Sequence, residues 1–228
     1  MYQEIIDYFY GEGESKLKTI LMVHSRGVAN KALRICDAHP ELKMNREFVE
    51  QAAMLHDIGI IRCHAPGIEC HGTEPYICHG RIGAAMLREE FNTDPTPRSA
   101  QRDACLSKNP EPTPRSAQRD ACLSKNPSPG RGTLNVTLST LNAYARVCER
   151  HTGAGLTREE IIKQNLPLPW QDFLPETMEE KLICYADKFF SKTRPDAEKS
   201  FEHVLRSLEK FGPEGVERFL AWHRLFAL

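Results

Sequence analysis

Apolar residues recur at three- and four-residue spacing over most of this chain, which is the pattern of amphipathic helices. The first such run extends from Lys16 to about His39, and a strongly helical one extends from Met178 to about Lys192. The same spacing predicts helices over residues 46–57, 79–91, 134–151, 196–211 and 213–227, and a short capped helix at 157–165. Residues 58–78 are predicted to form a long loop. The one strand-like run, residues 135–140, merges into a helix, so the predicted fold is all-α.

A tandem repeat interrupts the helical pattern. The string TPRSAQRDACLSKNP occupies residues 96–110 and recurs unchanged at residues 113–127. Polar residues and prolines dominate this string, so it cannot bury enough apolar surface to fold alone. We predict a disordered insertion over residues 95–132 within one domain that spans residues 1–228. Residues 195–228 are predicted to form a C-terminal helical pair packed on the core.

Composition and charge exclude several classes of protein. With 228 residues, 40% of them hydrophobic, the chain can build one sizeable core, and its net charge of −1 gives no strong signal for nucleic acid. No basic segment leads into an apolar run, and no apolar run reaches the ~18 residues that span a bilayer. We therefore expect no membrane association and a cytoplasmic location. The eight cysteines form no CxxC pair and are expected to be reduced thiols.

Several ionisable residues fall on the apolar faces of the predicted helices. Asp187 lies between Ile183 and Phe190, and the pair His56-Asp57 ends another apolar run. A single inward histidine is usually a hydrogen-bonded core residue, but a buried carboxylate is costly unless it is paired or bound to a cation. Because five helices aim such groups inward, one shared metal centre accounts for all of them. The candidate ligands are His24, His56, Asp57, His79, His151 and Asp187.

These six ligands can be divided between two ions. The four residues other than His79 and His151 suffice for one ion, and those two histidines supply a second ion with Asp57 as the bridge. Nitrogen and oxygen donors suit manganese, iron, magnesium or zinc, so the identity of the metal stays open. Two ions about 3.5–4 Å apart can hold a bridging hydroxide and stabilise the attacking and leaving oxygens of a phosphoryl displacement.

The order of these residues, H…HD…H…H…D, resembles that of the HD superfamily of metal-dependent phosphohydrolases. Residues 56–59 spell HDIG, as in its HDIG-type branch, and the strings CHGTEPYICHGRIGA around His79 and ERHTGAGLT around His151 are also similar. The resemblance implies a helical bundle around one or two divalent ions, and hydrolysis of a phosphate ester or anhydride by metal-bound hydroxide. The HD-GYP phosphodiesterases resemble this motif but carry Lys where this chain has Ile60, so cyclic di-GMP is not the expected substrate.

Three residues are predicted to act in catalysis. Asp57 is the bridging ligand, Lys188 directly follows Asp187, and Arg150 directly precedes His151. Either cation could reach a substrate phosphate, Arg through paired hydrogen bonds and Lys as a point charge, although such residues are often simply solvated. The expected partner is a small phosphorylated molecule such as a nucleotide, and no feature indicates an oligomeric state.

Two alternatives stay open on the sequence alone. Some members of the superfamily use a di-iron pair to activate oxygen, and the same six ligands would serve such an oxygenase. The chain could instead be a non-catalytic module that senses a nucleotide or binds a protein, with a structural metal and with the repeat as the partner contact. Fold and ligands define a reaction class far better than they define a substrate.

Overall fold

The computed structural model describes residues 1–90, 136–209 and 212–228. Within these residues the chain folds into nine α-helices and one small sheet, which confirms the predicted all-α class. The helices are α1 Tyr2–Tyr10, α2 Lys16–Ala38, α3 Arg46–Leu55, α4 His79–Glu90, α5 Leu138–Arg150, α6 Arg158–Lys163, α7 Met178–Asp187, α8 Phe201–Glu209 and α9 Pro213–Phe226. The predicted disordered insertion, residues 95–132, lies outside the described residues. Among the described helices, none combines the length and apolarity needed to cross a membrane.

Polar side chains cap several of these helices at their first residues. Ser15 accepts a hydrogen bond of 3.1 Å from an amide in the first turn of α2, and Asn45 accepts one of 3.0 Å in the first turn of α3. At the predicted capped helix α6, Thr157 and Glu160 form a capping box. Each cap satisfies an amide that has no partner within its own helix, so local sequence decides where these helices begin.

Helix α7 ends earlier than predicted. It stops at Asp187, and the backbone hydrogen bonds that follow span three residues, as in a 3₁₀ turn. The Phe189 amide donates to the Ala186 carbonyl (3.2 Å), and the Phe190 amide donates to the Asp187 carbonyl (3.0 Å). The predicted helix through Lys192 is therefore wrong after Asp187. This early end redirects the following residues, which matters for the site described below. Helix α1 is a further difference, because it was not among the predicted helices.

A three-stranded sheet replaces part of the predicted loop at residues 58–78. Its strands are β1 Cys63–Ala65, β2 Cys70–His71 and β3 Glu74–Pro75, in the order β2-β1-β3. Strands β1 and β2 are antiparallel with His64 opposite His71, and β1 and β3 are parallel with Cys63 opposite Glu74. Strands of two or three residues are too short to show an alternating pattern, which explains why the sequence did not reveal them.

Two glycines allow the backbones around the centre of the molecule to approach closely. A Cβ on Gly59 would lie 2.1 Å from the carbonyl oxygen of His79, and a Cβ on Gly80 would lie 2.3 Å from that of Cys148. No other residue fits such spaces, since a side-chain carbon would overlap backbone atoms. The start of α4 is thereby held directly against the turn after α3 and against α5. The histidines at these three places are brought together as a result.

The first and last helices pack on this central group. In α9, the buried ring of Phe219 stacks on Tyr185 of α7 with centroids 5.0 Å apart. The Tyr185 hydroxyl and Nδ1 of His223 lie 2.8 Å apart. In α1, the Tyr10 hydroxyl donates a hydrogen bond of 2.9 Å to the carbonyl of Ile58, next to Asp57. The turn that follows α3 is thus supported by α1, while α9 packs against α7.

Candidate metal centre

Three of the candidate histidines lie at the C-terminal ends of helical segments. His56 follows α3, His151 follows α5, and His79 follows a 3₁₀ turn at residues 76–78. In each ring Nδ1 faces the carbonyl oxygen three residues earlier, at 2.6 Å for His56 and His79 and at 2.7 Å for His151. A carbonyl only accepts hydrogen bonds, so Nδ1 carries the proton and each ring is held against the end of its helical segment. Nε2 then remains as the basic nitrogen, the form in which imidazole binds a metal.

Asp57 lies at the centre of the cluster. Its Oδ2 is 3.0 Å from Nε2 of both His24 and His56. Its Oδ1 is 3.2 Å from Nε2 of His79 and 3.3 Å from Nε2 of His151. All five side chains are buried. The structure therefore places one carboxylate among four imidazoles, each of which presents the same ring nitrogen to it.

Asp187 joins one side of this cluster. Its Oδ1 is 3.0 Å from Nε2 of His24 and 3.4 Å from Nε2 of His56. The six predicted ligands thus form two groups that share Asp57, and within each group the ligand atoms lie within 4.8 Å of one another. The groups are His24, His56, Asp57 and Asp187, and Asp57, His79 and His151. Their role as metal ligands stays a prediction, but the residues are in place for it.

The contacts inside the cluster fit a bound cation better than a hydrogen-bonded core. Four buried atoms have no hydrogen-bond partner among the described residues: Nε2 of His24, Nε2 of His56 and both oxygens of Asp57. Both Nε2 atoms nevertheless lie only 3.0 Å from Asp57 Oδ2. The distances suit hydrogen bonds and the angles do not. Nε2 of His79 and Nε2 of His151 lie 3.0 Å apart, and with both protons on Nδ1 their lone pairs face each other. A divalent cation bound between these atoms would remove both conflicts. The donor atoms are all nitrogen or oxygen, which suits manganese, iron, magnesium or zinc.

The local electrostatics shift the pKa values of His56 and His151 in opposite directions. Burial by itself would lower the pKa of His56, but the nearby carboxylates of Asp57 and Asp187 raise it to about 9. Burial lowers the pKa of His151 to about 4, and the nearby carboxylate of Asp57 offsets this only in part. Burial would raise the pKa of Asp57, but His56 and Lys192 hold it well below its usual range.

We expect the chelator-treated protein to be most stable near pH 6.5, the ordinary pKa of histidine. The raised pKa of His56 gives stability that is present below pH 6.5 and is lost as the pH rises through about 9. The lowered pKa of His151 acts in the opposite direction, because the unfolded chain takes up a proton between pH 6.5 and about 4 that the folded chain does not. Each decline should amount to roughly 2–3 kcal/mol.

Urea unfolding at pH 4.5, 6.5 and 8.5 and at constant ionic strength measures this dependence. Saturation with a divalent cation should remove the alkaline decline, because the cation replaces the proton on His56 and is not lost as the pH rises. A free energy of unfolding that rises steadily across this range in the metal-free protein would contradict the expectation.

Two lysines reach the carboxylates of the cluster. Lys188 Nζ lies 2.7 Å from Asp187 Oδ2, and it also donates to the His151 carbonyl (3.2 Å). Lys192 Nζ lies 2.6 Å from Asp57 Oδ2, a contact that the sequence pattern did not indicate. A helix continued to residue 192 would have turned Lys192 about 140° away from Asp187. The early end of α7 turns Lys192 back toward the cluster instead.

Arg150 forms ion pairs with two glutamates. Its guanidinium contacts Glu176 (2.8 Å) and Glu180 (3.1 Å), and the buried Glu180 also contacts Arg146 (3.2 Å). These ion pairs connect α5 to the beginning of α7. The described contacts therefore place Arg150 in an ion-pair network, and its role toward substrate phosphate stays a prediction.

A cavity of about 630 Å³ opens beside the cluster. His79, His151 and Asp187 line it together with Lys188 and Lys192, so both lysines and part of the ligand cluster face the same space. Apolar residues cover much of the remaining wall, among them Ile68, Tyr76, Leu156, Leu166, Phe190 and Leu208. The ring of Tyr76 stacks on that of His79 with centroids 4.8 Å apart, a contact that the sequence did not indicate. A small molecule in this cavity would contact the cluster from the side of His79 and Asp187.

A comparison with protein families gives a result that agrees with this geometry. A family model described as "HD domain" matches residues 21–125. The matched range contains His24, His56, Asp57 and His79, while His151 and Asp187 lie beyond it. The folded structure supplies the last two, because α5 and α7 bring them to the same cluster. No solved structure matches the chain.

The chain is also similar to several other proteins. An uncharacterized protein of Methanocaldococcus jannaschii is 28% identical over 208 residues, which cover 87% of this chain and 85% of that protein. A tRNA (cytidine(56)-2'-O)-methyltransferase of Picrophilus torridus is 53% identical over 49 residues, 22% of this chain and 14% of the enzyme. A Thermoplasma volcanium enzyme of the same name is 33% identical over 82 residues, 36% of this chain and 23% of the enzyme. The chain thus spans less than a quarter of either methyltransferase.

Proposed function

We propose, from the premise that this chain is an HD-domain protein, that it is a metal-dependent phosphohydrolase. Its substrate would be a phosphate ester or anhydride of a small molecule such as a nucleotide. The observation that carries the proposal is the position of Asp57, whose two carboxylate oxygens each face two imidazole nitrogens. One carboxylate shared by two groups of ligand atoms is the arrangement expected of a bridged two-ion site.

The side chains around the cluster would each have a defined part in this reaction. The ions would be held by His24, His56, Asp57, His79, His151 and Asp187. Divalent ions bound there would supply a Lewis acid for the phosphoryl oxygens and would lower the pKa of water toward neutrality. The backbone hydrogen bonds to Nδ1 keep His56, His79 and His151 in the ligating tautomer and orientation. Lys188 balances the charge of Asp187 at the edge of the cavity.

The volume and the lining of the cavity suit a small substrate. A volume of about 630 Å³ falls within the range of roughly 300–1,000 Å³ that is usual for small-molecule sites. Its lining combines cations at the cluster with apolar side chains farther along the wall, which suits a phosphorylated molecule with an uncharged remainder. Methyl transfer is not proposed, because the matched segments cover only 14% and 23% of the two methyltransferases.

The direct test is a turnover assay with defined metals. Chelator-treated protein is reconstituted separately with Mn²⁺, Mg²⁺, Fe²⁺, Co²⁺ or Zn²⁺ and incubated with nucleotides, sugar phosphates and p-nitrophenyl phosphate. We expect release of inorganic phosphate with at least one metal and none from the metal-free protein. Metal content is measured on the same samples, so that occupancy and rate can be compared.

The assay also separates the other two functions considered. Oxygen consumption by the iron-loaded protein, with an optical band of a bridged iron pair and no ester cleavage, would instead support an oxygenase. A protein that binds metal in each case and turns over none of these substrates would point to a non-catalytic module and would overturn the proposal.

A further inference from the structure

The strongest unexplained feature of the site is Lys192. Its side chain is only 12% exposed, and its ammonium contacts Asp57, the carboxylate that the four imidazoles also share. A buried ammonium is retained only where it is paired, and Lys192 is paired with the carboxylate that is proposed to bind metal. If charge compensation were its only role, the residue would have no need to line the cavity, which it does.

The ammonium of Lys192 has donor capacity to spare. It carries three N–H groups, and its Nζ lies 2.6 Å from Asp57 Oδ2 as an ion pair. Tyr76 lies on one side, with its ring centroid 5.8 Å from Nζ. Burial raises the pKa of the Tyr76 hydroxyl and the Lys192 ammonium partly offsets that rise, so the two groups are close. Even with Tyr76 as a second partner, an N–H remains for an anion in the cavity.

The turn that carries Lys192 is held in place by another lysine. Lys199 donates hydrogen bonds to the carbonyls of Lys188 (3.0 Å) and Phe190 (2.9 Å), and its amide donates to the Phe189 carbonyl (2.7 Å). The segment after α7 is therefore folded back on itself. Both Lys188 and Lys192 extend from this segment and form part of the cavity wall, together with Asp187. Such anchoring keeps the two ammoniums in position before any ligand arrives.

The charges of the site favour a dianion. The carboxylates of Asp57 and Asp187 are balanced by the ammoniums of Lys192 and Lys188, and imidazoles bind metal as neutral bases. Any divalent cation added to this set leaves at least two positive charges uncompensated. A phosphate monoester at neutral pH carries about two negative charges, while a phosphodiester carries one. The monoester matches the site and the diester does not.

We propose that Lys192 binds the phosphoryl group of the substrate, and that with Lys188 it selects phosphate monoesters over phosphodiesters. This inference rests on the proposed phosphohydrolase function, since it concerns the same site. Lys192 would be a catalytic residue in the sense that it touches the reacting phosphate. Lys199 would be a positioning residue that acts through the backbone of the turn.

The test measures anion binding and so does not depend on turnover. The Mn²⁺-loaded protein is titrated calorimetrically with inorganic phosphate, which imitates the monoester, and with dimethyl phosphate, which imitates the diester. We expect wild-type protein to bind phosphate at least tenfold more tightly than dimethyl phosphate. Lys192→Met should weaken phosphate binding roughly 10- to 100-fold, the usual value of a charge-assisted hydrogen bond, and should change dimethyl phosphate binding much less.

Matched variants separate charge from structure. Lys163→Met, on the exposed face of α6, should bind phosphate as the wild type does, and Lys192→Arg should retain most of the affinity. Lys192→Gln is the second neutral variant, because its amide can still donate a hydrogen bond to Asp57. The comparison uses whichever neutral variant keeps the wild-type metal content. If neither keeps it, Lys192 is only a support for the cluster and the inference is overturned.

Two further results would overturn it. One is unchanged phosphate affinity in the neutral variant, and the other is a wild-type protein that binds dimethyl phosphate as tightly as phosphate or binds neither. These results are distinguishable from failure of the proposed function. A protein that binds phosphate through Lys192 and cleaves no ester would refute the hydrolase while leaving the anion site established.

Discussion

Asp57→Asn should abolish metal-dependent phosphate release, lowering kcat by roughly three orders of magnitude or more. The substitution keeps the size of the side chain and removes its charge. Each carboxylate oxygen of Asp57 faces the Nε2 atoms of two imidazoles, and an amide nitrogen in place of one oxygen cannot coordinate a cation. Both groups of ligand atoms should lose affinity together, because Asp57 belongs to each.

Metal analysis and a rate assay on the same preparation check this result. Bound metal should fall below one ion per chain while the circular dichroism spectrum keeps its helical shape. Asp196→Asn, an exposed position on the segment before α8, is the matched control and should leave metal content and rate unchanged. Full metal occupancy with a rate near that of wild type in Asp57→Asn would show that Asp57 is not the shared ligand.

Gly59→Ala should destabilise the protein by about 3 kcal/mol, at the upper end of the usual cost of overpacking. The added Cβ would lie 2.1 Å from the His79 carbonyl and 2.4 Å from the Gly83 amide nitrogen. Both atoms belong to the backbone of α4, so neither can move aside as a side chain would. For a chain of this size that loss corresponds to a fall of roughly 6–12 °C in Tm. Because α4 must shift to make room, we also expect weaker metal binding at His79.

Thermal unfolding of the metal-free and metal-saturated proteins separates the two effects. Gly67→Ala is the matched control, since a Cβ there meets no atom within 4 Å and the backbone conformation is ordinary. That variant should stay within about 0.5 kcal/mol of wild type. Equal Tm values for the Gly59 and Gly67 variants would mean that α4 is not held against this turn.

The electrostatic details of the site could not be predicted from the sequence. Arg150 adjoins a predicted ligand as closely as Lys188 does, yet it pairs with Glu176 and Glu180, while Lys188 contacts Asp187. Adjacency in sequence does not decide which way a long side chain turns, since neighbouring helical positions differ by ~100°. Lys192 was missed for a related reason, because the apolar pattern of α7 continues past the residue where the helix stops.

What the sequence alone determined is most of the helices, although not α1, and the six inward ionisable residues that are the predicted ligands. Periodic apolar faces predict α2, α3, α5 and α7, and an ionisable residue on such a face must find a charge or a hydrogen bond when it is buried. These are local properties of short segments, so they can be read along the chain. The sheet at residues 63–75 and the end of α7 at Asp187 depend on weak or competing local signals, so the sequence did not predict either feature.

Only the tertiary structure decided how the ligands meet. The distances between Asp57 and four imidazoles, the carbonyls that fix the Nδ1 protons, and the approach of Lys192 all arise from segments far apart in the chain. Close contact between such segments depends on backbone fit, as at Gly59, and on where helices end. Those features are set by packing of the whole core, which no single segment encodes.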